Sequence, residues 1–165
     1  MSIPHPDTEK IKVNCAVITV SDTRTEETDR SGKLIKELLK EAGHLVTAYA
    51  ILKDEPALIQ AKLEELSVCS DVDFLIFNGG TGIAPRDTTY DALAGLLEKI
   101  LPGFGELFRW LSYQEIGSRA MASRAIAGVY KHKIVFSIPG SSGAVKLAVE
   151  KLILPELIHL KEQLG

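Results

Sequence analysis

Polar residues that could bind a phosphorylated ligand are concentrated at a few points of this sequence. The densest is the segment Asn78-Gly79-Gly80-Thr81-Gly82. Glycines let backbone N–H groups approach a phosphate or a carbonyl closely, and a threonine adds a hydroxyl donor. A tight turn between a strand and a helix also needs glycine, so both interpretations stay open. The segment matches neither the dinucleotide-binding fingerprint nor the P-loop with its lysine, which argues against an ordinary NTPase.

Two aspartates could supply metal ligands beside this segment. Asp87 follows it within Arg86-Asp87-Thr88-Thr89, and Asp54 follows an earlier apolar run. Mg²⁺ is commonly held by one or two carboxylates together with substrate phosphates. The pair therefore predicts a shared Mg²⁺ site. Each aspartate has an alternative role as a helix cap, Asp87 before a predicted helix and Asp54 before Glu55-Pro56.

Three further segments carry side chains that could line the same site. Pro139-Gly140-Ser141-Ser142-Gly143 precedes a predicted helix, and backbone N–H groups at a helix N-terminus bind anions readily. Ser141 or Ser142 could equally cap that helix. Ser21-Asp22 follows the first apolar run, and Asp29-x-Ser31-Gly32 precedes the first helical pattern. These residues either line the same crevice or cap the first helix.

The elements that must position these residues follow from the hydrophobic pattern. Four apolar, β-rich runs predict strands at residues 13–20, 45–52, 74–77 and 134–138. Apolar residues at helical spacing predict helices at 31–42, 56–66, 88–101, 104–116, 118–127 and 144–164, the last kinked at Pro155. This alternation predicts an α/β fold with a parallel sheet and helices on both faces. Ligands bind at the carboxyl ends of such strands, where the polar segments lie.

Composition excludes several classes of protein. The net charge of −3 argues against a protein held on nucleic acid mainly by bulk charge. The two cysteines make neither a disulfide framework nor a metal cluster, and the four histidines lack the spacing of metal ligands. No stretch approaches the roughly 18 apolar residues of a membrane span. We expect a cytoplasmic protein with a flexible segment at 1–12 and one domain at 13–165.

Two groups of residues keep two interpretations each. Three arginines could bind phosphate or form ion pairs on helix surfaces: Arg109, Arg119 and Arg124. Five large apolar residues crowd one predicted helix more than a single buried face requires: Phe104, Leu107, Phe108, Trp110 and Leu111. They indicate either a contact between subunits or core packing.

Taken in order, the motifs resemble one family. The ordered set is Ser21-Asp22, Asp29-Arg30-Ser31-Gly32, Gly79-Gly80-Thr81-Gly82 with Arg86-Asp87-x-Thr89, Pro102-Gly103-Phe104-Gly105-Glu106 and Pro139-Gly140-Ser141. It resembles the molybdenum cofactor biosynthesis family of MoaB and MogA, which shares its fold with the G domain of gephyrin-like proteins. The resemblance covers nearly the whole chain from Val13, and residues 107–125 look more like the MoaB branch.

The resemblance implies a fold, an assembly and an activity. The fold is a three-layer α/β/α sandwich with a mostly parallel central sheet, the molybdopterin-binding fold, assembled as a homotrimer or homohexamer. The activity is Mg²⁺-dependent transfer of an adenylyl group from ATP to molybdopterin. A non-catalytic oligomer that carries or protects molybdopterin is the alternative.

The resemblance also implies residue roles. Asp54 and Asp87 correspond to the essential carboxylates, as catalytic residues and metal ligands. Gly79-Gly80-Thr81-Gly82 and Pro139-Gly140-Ser141 would hold the nucleotide and the pterin phosphate. Ser21, Asp22 and Ser31 would lie around the same pocket.

Overall fold

The computed structural model describes residues 11–165. The predicted flexible segment 1–12 lies outside the described residues except for its last two positions. The strands are β1 (Asn14–Val20), β2 (Leu45–Leu52), β3 (Phe74–Asn78), β4 (Lys99–Ile100), β5 (Ile126–Tyr130) and β6 (Lys133–Ile138). The helices are α1 (Arg30–Glu41), α2 (Pro56–Ser67), α3 (Thr89–Ala94), α4 (Pro102–Ile116), α5 (Ser142–Ala148) and α6 (Leu154–Leu164), with a 3₁₀ helix Gly117–Ala122 and a π-helical turn Val149–Ile153.

The strands form one mostly parallel sheet in the order β2-β1-β3-β6-β5-β4. Strands β2, β1, β3 and β6 run parallel, while β5 is antiparallel to β6 and β4 is antiparallel to β5. The register places Thr19 level with both Ile51 and Asn78, and Asn78 level with Ile138. The carboxyl ends of the four parallel strands therefore meet at one edge, as the sequence predicts.

The sheet is covered on both faces. Alternate residues of β1 enter two separate apolar clusters, so that Cys15 and Val17 pack with α1 and the C-terminal helices, and Ala16 and Ile18 pack with α2. A strand buried on both faces needs a continuous apolar run, which explains the sequence of β1. The three-layer α/β/α arrangement is confirmed. None of the helices in residues 11–165 combines the length and apolar character needed to cross a membrane.

Two predicted helices are wrong in part. The helix predicted at 88–101 ends at Ala94, because residues 98–101 instead bond to the backbone of β5. The helix predicted at 118–127 gives way to β5 after the 3₁₀ helix. The hairpin joining β5 to β6 turns at Lys131 and His132, both with positive φ (45° and 65°). Such turns normally carry glycine or asparagine, so the sequence contained no hairpin signal here.

The C-terminal helix is interrupted where the sequence predicts. Pro155 lies at the start of α6, directly after the π-helical turn. Proline has no N–H to donate to the carbonyl four residues earlier, so the regular hydrogen-bond pattern cannot continue through it. A π turn is one of the usual ways in which a helix absorbs such a break.

Candidate functional site

The carboxyl edge of the sheet brings the predicted polar segments together. The backbone N–H of Asp54, after β2, donates to Oδ1 of Asp22, after β1, at 3.1 Å. After β3 and β6, a Cβ placed on Gly140 would lie 3.3 Å from the Cα of Gly79. Four segments that are far apart in the sequence thus form one surface, with the loop 79–88 at its centre.

Asp54 is a buried carboxylate bonded to that central loop. Its side chain is 7% exposed. Its Oδ1 accepts hydrogen bonds from the backbone N–H of Thr88 at 3.1 Å and from the Thr88 hydroxyl at 2.6 Å. The alternative role as a helix cap is wrong, because α2 is capped by Glu55 without any side-chain bond.

Asp87 lies within the same loop and faces the glycines. Its Oδ2 accepts from the backbone N–H of Ala84 at 3.0 Å, which closes a short turn. A Cβ on Gly82 would lie 2.7 Å from the same oxygen, so a side chain there would displace the Asp87 carboxylate. The residue that caps α3 is Thr88, so the capping role predicted for Asp87 is also wrong. Asp54 therefore bonds to Thr88, the residue that follows Asp87 in the loop.

The glycine segment combines an unusual backbone with open donors. Gly79 and Gly80 have φ values of +102° and +67°, which L side chains rarely adopt. The predicted tight turn between a strand and a helix is wrong, because residues 79–88 form a loop between β3 and α3. A Cβ on Gly79 would lie 2.2 Å from the carbonyl oxygen of Val20. Among residues 11–165, the N–H groups of Gly80, Thr81 and Gly82 have no backbone or side-chain acceptor. Three successive open N–H groups are the arrangement that binds phosphate oxygens.

Arg124 stabilises the loop 79–88 through hydrogen bonds to its backbone, a role that the sequence did not reveal. Its guanidinium donates to the carbonyl oxygens of Thr81 (3.4 Å), Gly82 (2.7 and 3.1 Å) and Asp87 (3.2 Å). It also pairs with the Asp91 carboxylate at 3.1 Å. The predicted ion pair is thus confirmed, although Arg124 lies before β5 and not on a helix.

The ion pairs considered for Arg109 and Arg119 are not formed among the described residues. Arg109 donates to the carbonyl oxygens of Ser123 and Ala125, at 3.4 and 3.2 Å. This anchors α4 to the segment before β5.

Arg86 joins the loop to the end of β1. Its Nε and Nη2 donate to Oδ2 of Asp22 at 3.1 and 2.8 Å. The side-chain hydrogen bond from Arg86, with the backbone N–H of Asp54, holds the pKa of Asp22 below its usual value. Asp22 therefore stays ionised and orients its neighbours. Because this pair is largely exposed, its contribution is to geometry more than to stability.

Ser21 and Ser31 order the backbone around the site. The Ser21 hydroxyl accepts from the N–H groups of Thr23 and Arg24, at 3.2 and 3.1 Å. The Ser31 hydroxyl donates to Oδ1 of Asn78 at 2.7 Å, which ties the start of α1 to the end of β3. Both serines lie beside the predicted site, and both act there through hydrogen bonds within the chain.

Asp29 is a buried carboxylate that accepts hydrogen bonds at the start of α1. It caps α1 by accepting from the Gly32 N–H at 3.0 Å, and it also accepts from the Tyr49 hydroxyl. Burial acts to raise the pKa of Asp29, but hydrogen bonds from Tyr49, Thr19, Gly32 and Ser31 outweigh it and hold that pKa below its usual value. The capping interpretation of this segment is confirmed.

The last predicted segment also caps a helix. Ser141 is the N-cap of α5, and its hydroxyl accepts from the Ala144 N–H at 3.4 Å. Pro139 and Gly140 follow the end of β6, and Gly140 lies against Gly79. A cavity of about 330 Å³, lined by Tyr90, Arg109 and Arg124 among others, reaches neither Asp54 nor Asp87.

Two carboxylate oxygens at the centre are free to contact a hard divalent cation. Oδ2 of Asp54 and Oδ1 of Asp87 accept no hydrogen bond from the described part of the chain. Residues 11–165 contain no cluster of three or more His, Cys, Asp or Glu side chains suited to a metal. A cation bound by carboxylates here would complete its ligand set with hydroxyl, water or phosphate oxygens, which is the mixture that Mg²⁺ uses.

Comparison with known proteins shows the family of this chain. The sequence profile of the family described as "Probable molybdopterin binding domain" matches residues 16–159. Molybdenum cofactor biosynthesis protein B of Bacillus subtilis (strain 168) is 58% identical over 155 residues, covering 92% of this chain and 90% of the relative. The protein of that name from Bacillus cereus (strain ATCC 14579) is 57% identical over 154 residues, covering 93% and 91%.

Solved structures agree in fold. A crystal structure of molybdenum cofactor biosynthesis protein B matches with a TM-score of 0.91 at 57% identity, covering 93% of this chain and 96% of that one. The tungsten cofactor synthesizing protein MoaB from Pyrococcus furiosus matches with a TM-score of 0.83 at 37% identity, covering 92% and 96%. With its ordered motifs at the carboxyl edge of a mostly parallel sheet, this chain belongs to the molybdenum cofactor biosynthesis family of molybdopterin-binding domains.

Proposed function

We propose that this protein transfers the adenylyl group of ATP to the terminal phosphate of molybdopterin. The observation that carries the proposal is the centre of the loop 79–88. Three successive open N–H groups lie there between two aspartates, each with one carboxylate oxygen that accepts no bond from the described residues. This combination suits a reaction between two phosphates that needs neutralisation of charge more than a protein nucleophile.

The reaction would proceed by in-line displacement. An oxygen of the molybdopterin phosphate attacks the α-phosphorus of ATP, and the bond from that phosphorus to the bridging oxygen breaks. Pyrophosphate leaves with the electron pair of that bond. The attacking oxygen is already ionised at neutral pH, so no general base is required. The chain needs only to hold two phosphates in line.

The residues of the site divide this work. The open N–H groups of Gly80, Thr81 and Gly82 would bind phosphate oxygens. Asp54 and Asp87 would hold Mg²⁺, with Asp54 fixed in orientation by its two bonds from Thr88. Bound Mg²⁺ neutralises phosphate charge and orients the reacting groups. Arg86 and Asp22 would keep the loop and the ends of β1 and β2 in a fixed relation.

The test is adenylylation of purified molybdopterin with Mg²⁺ and ATP. We expect Asp54→Asn and Asp87→Asn each to lower the rate by about 100-fold or more, because each removes a charge from the reacting centre while keeping its shape. Asp71→Asn is the matched control. Asp71 is an exposed aspartate shortly before β3, at the opposite edge of the sheet, and its substitution should leave the rate unchanged.

A different outcome would favour the alternative function. If the wild-type protein binds molybdopterin tightly but produces no pyrophosphate, the protein is a non-catalytic carrier of molybdopterin. In that case Asp54→Asn and Asp87→Asn should leave molybdopterin affinity unchanged.

We further propose that the protein is a homo-oligomer, either a trimer or a hexamer. Of the five crowded residues of α4, Phe104 and Phe108 are buried in the core, while Leu107 and Trp110 are more than half exposed. Exposed apolar side chains continue along the same stretch at Tyr113, Ile116 and Met121. A concentration of this kind is typical of a contact surface.

The two unpaired cysteines support a reducing compartment, the cytoplasm.

A further inference from the structure

We infer that the hydroxyl of Thr89 is a third protein ligand of the divalent cation, beside Asp54 and Asp87. The inference rests on the cation site of the proposed function and extends it to a residue with no assigned role. It starts from a polar atom whose burial is otherwise unexplained.

The Thr89 side chain is fully buried, with 0% of its surface exposed. Its hydroxyl oxygen has no hydrogen-bond partner among the described residues. A buried hydroxyl without a partner destabilises a protein, and an apolar side chain of the same shape would avoid that cost. Valine has this shape. Threonine at this position is therefore explained best by a partner that is bound during function.

The position of Gly80 shows where that partner would be. A Cβ placed on Gly80 would lie 2.2 Å from Oγ1 of Thr89 and 2.5 Å from Oδ2 of Asp54. Oγ1 of Thr89 and Oδ2 of Asp54 therefore lie close to the same point, beside the Cα of Gly80. Oδ2 accepts no hydrogen bond from Thr88, which bonds to Oδ1 instead. A side chain at residue 80 would collide with both oxygens, so the bare Cα of glycine is what lets them lie this close together.

The backbone fixes this convergence. The Thr89 N–H donates to the carbonyl oxygen of Gly80 at 3.2 Å, which holds the first turn of α3 against the glycine segment. Oδ1 of Asp54 is meanwhile bonded twice to Thr88, which leaves Oδ2 on the side of Gly80 and the Thr89 hydroxyl. A carboxylate oxygen and a hydroxyl oxygen on fixed backbone are suitable ligands for a hard cation. A threonine hydroxyl has the same role in P-loop proteins.

The test is binding of Mn²⁺, a spectroscopic substitute for Mg²⁺, to the full chain by electron paramagnetic resonance. We expect Thr89→Val to weaken Mn²⁺ affinity by about tenfold or more, within the range found when a metal site loses a supporting group. Thr89→Ser keeps the oxygen and should stay within about threefold of the wild type. The metal-free Thr89→Val protein should melt at the same temperature as the wild type or higher, because an unpaired hydroxyl is removed.

Ser137→Ala is the matched control. Ser137 is a second fully buried residue whose hydroxyl has no partner in the described chain, and it lies within β6. Its substitution should leave Mn²⁺ affinity unchanged. Unchanged affinity in Thr89→Val overturns the inference and leaves the proposed function intact. Failure of the wild type to bind Mn²⁺, alone and with ATP present, overturns both.

Discussion

At the scale of single residues, His44 shows how burial makes one side chain sensitive to pH. The residue is 9% exposed, and its Nδ1 accepts the backbone N–H of Val13 at 3.3 Å. Burial lowers the pKa of His44, because the charged ring is poorly solvated there. A protonated Nδ1 could also no longer accept the bond from Val13. The folded protein therefore holds His44 neutral where the unfolded chain already binds a proton.

The sign of the pH effect follows from this difference. Stability is at its full value above the ordinary histidine pKa of about 6.5 and falls as the pH drops below it toward the lowered value. We expect the melting temperature of the wild type to fall between pH 7.5 and pH 5.5, and His44→Asn to reduce that fall. His159→Asn, at an exposed position on α6, is the control. Identical slopes in the wild type and His44→Asn would contradict the prediction.

A second residue, Cys15, shows how burial suppresses the reactivity of a thiol. Burial, with the nearby charge of Asp73, raises the pKa of the Cys15 thiol to about 12. Only the thiolate reacts with disulfide reagents. We expect one thiol per native chain, that of the partly exposed Cys69, to react with such a reagent at pH 8. Both should react in denaturant, and rapid reaction of two thiols in the native protein would contradict the assignment.

At the scale of elements, the loop 79–88 depends on Arg124 for its shape. One guanidinium satisfies carbonyl oxygens of three loop residues and therefore fixes the backbone that carries the open N–H groups. Its ion pair with Asp91 is a smaller part of this role, since the Asp91 side chain is 66% exposed. Exposed ion pairs contribute less than about 1 kcal/mol.

Because the carbonyl bonds and the ion pair contribute unequally, we expect substitutions of Arg124 and Asp91 to lower stability by different amounts. We expect Arg124→Met to lower the free energy of unfolding by about 2–4 kcal/mol, because bonds from a charged donor to three carbonyl groups are lost. Asp91→Asn should lower it by less than about 1 kcal/mol. Urea unfolding measures both, and hydrogen exchange should speed up at residues 80–89 only in Arg124→Met. Equal stability of the two variants would show that the carbonyl bonds contribute little.

At the scale of the whole molecule, the exposed apolar residues of one stretch stand out. Leu107, Trp110, Tyr113, Ile116 and Met121 are all at least half exposed, and they lie on α4 and the 3₁₀ helix that follows it. The sheet edge with the candidate site lies next to this region, because Arg124 follows the 3₁₀ helix and contacts the central loop. A contact between copies here would therefore adjoin the site.

A charge at this surface tests the proposed assembly. We expect Trp110→Glu to convert the oligomer into monomers, because a buried unpaired carboxylate is strongly unfavourable at an apolar contact. Val68→Glu, at an apolar residue that is 74% exposed after α2, should leave the assembly intact. Light scattering after size-exclusion chromatography measures the mass. A monomeric wild type, or a Trp110→Glu protein of unchanged mass, would contradict the proposal.

The parallel half of the fold and the place of the site follow from the sequence, because they depend on local pattern. Strands β1, β3 and β6 lie in continuous apolar runs, and residues buried on both faces must be apolar whatever their partners are. Polar residues after each parallel strand must then share one edge. The π turn before Pro155 is also a local consequence, since it arises from one missing N–H.

Other features depend on contacts between distant residues, and these only the tertiary structure decided. β4 and β5 exist because they bond to each other and to β6, and the positive φ values at Lys131 and His132 have no signal in those residue types. The capping role considered for Asp54 is wrong for the same reason. A carboxylate accepts from the donors nearest in space, and the donors nearest to Asp54 belong to Thr88, 34 residues away. Spacing along the chain determines helices and strands, whereas the partners of a buried charge are determined by what the folded backbone brings within hydrogen-bond distance.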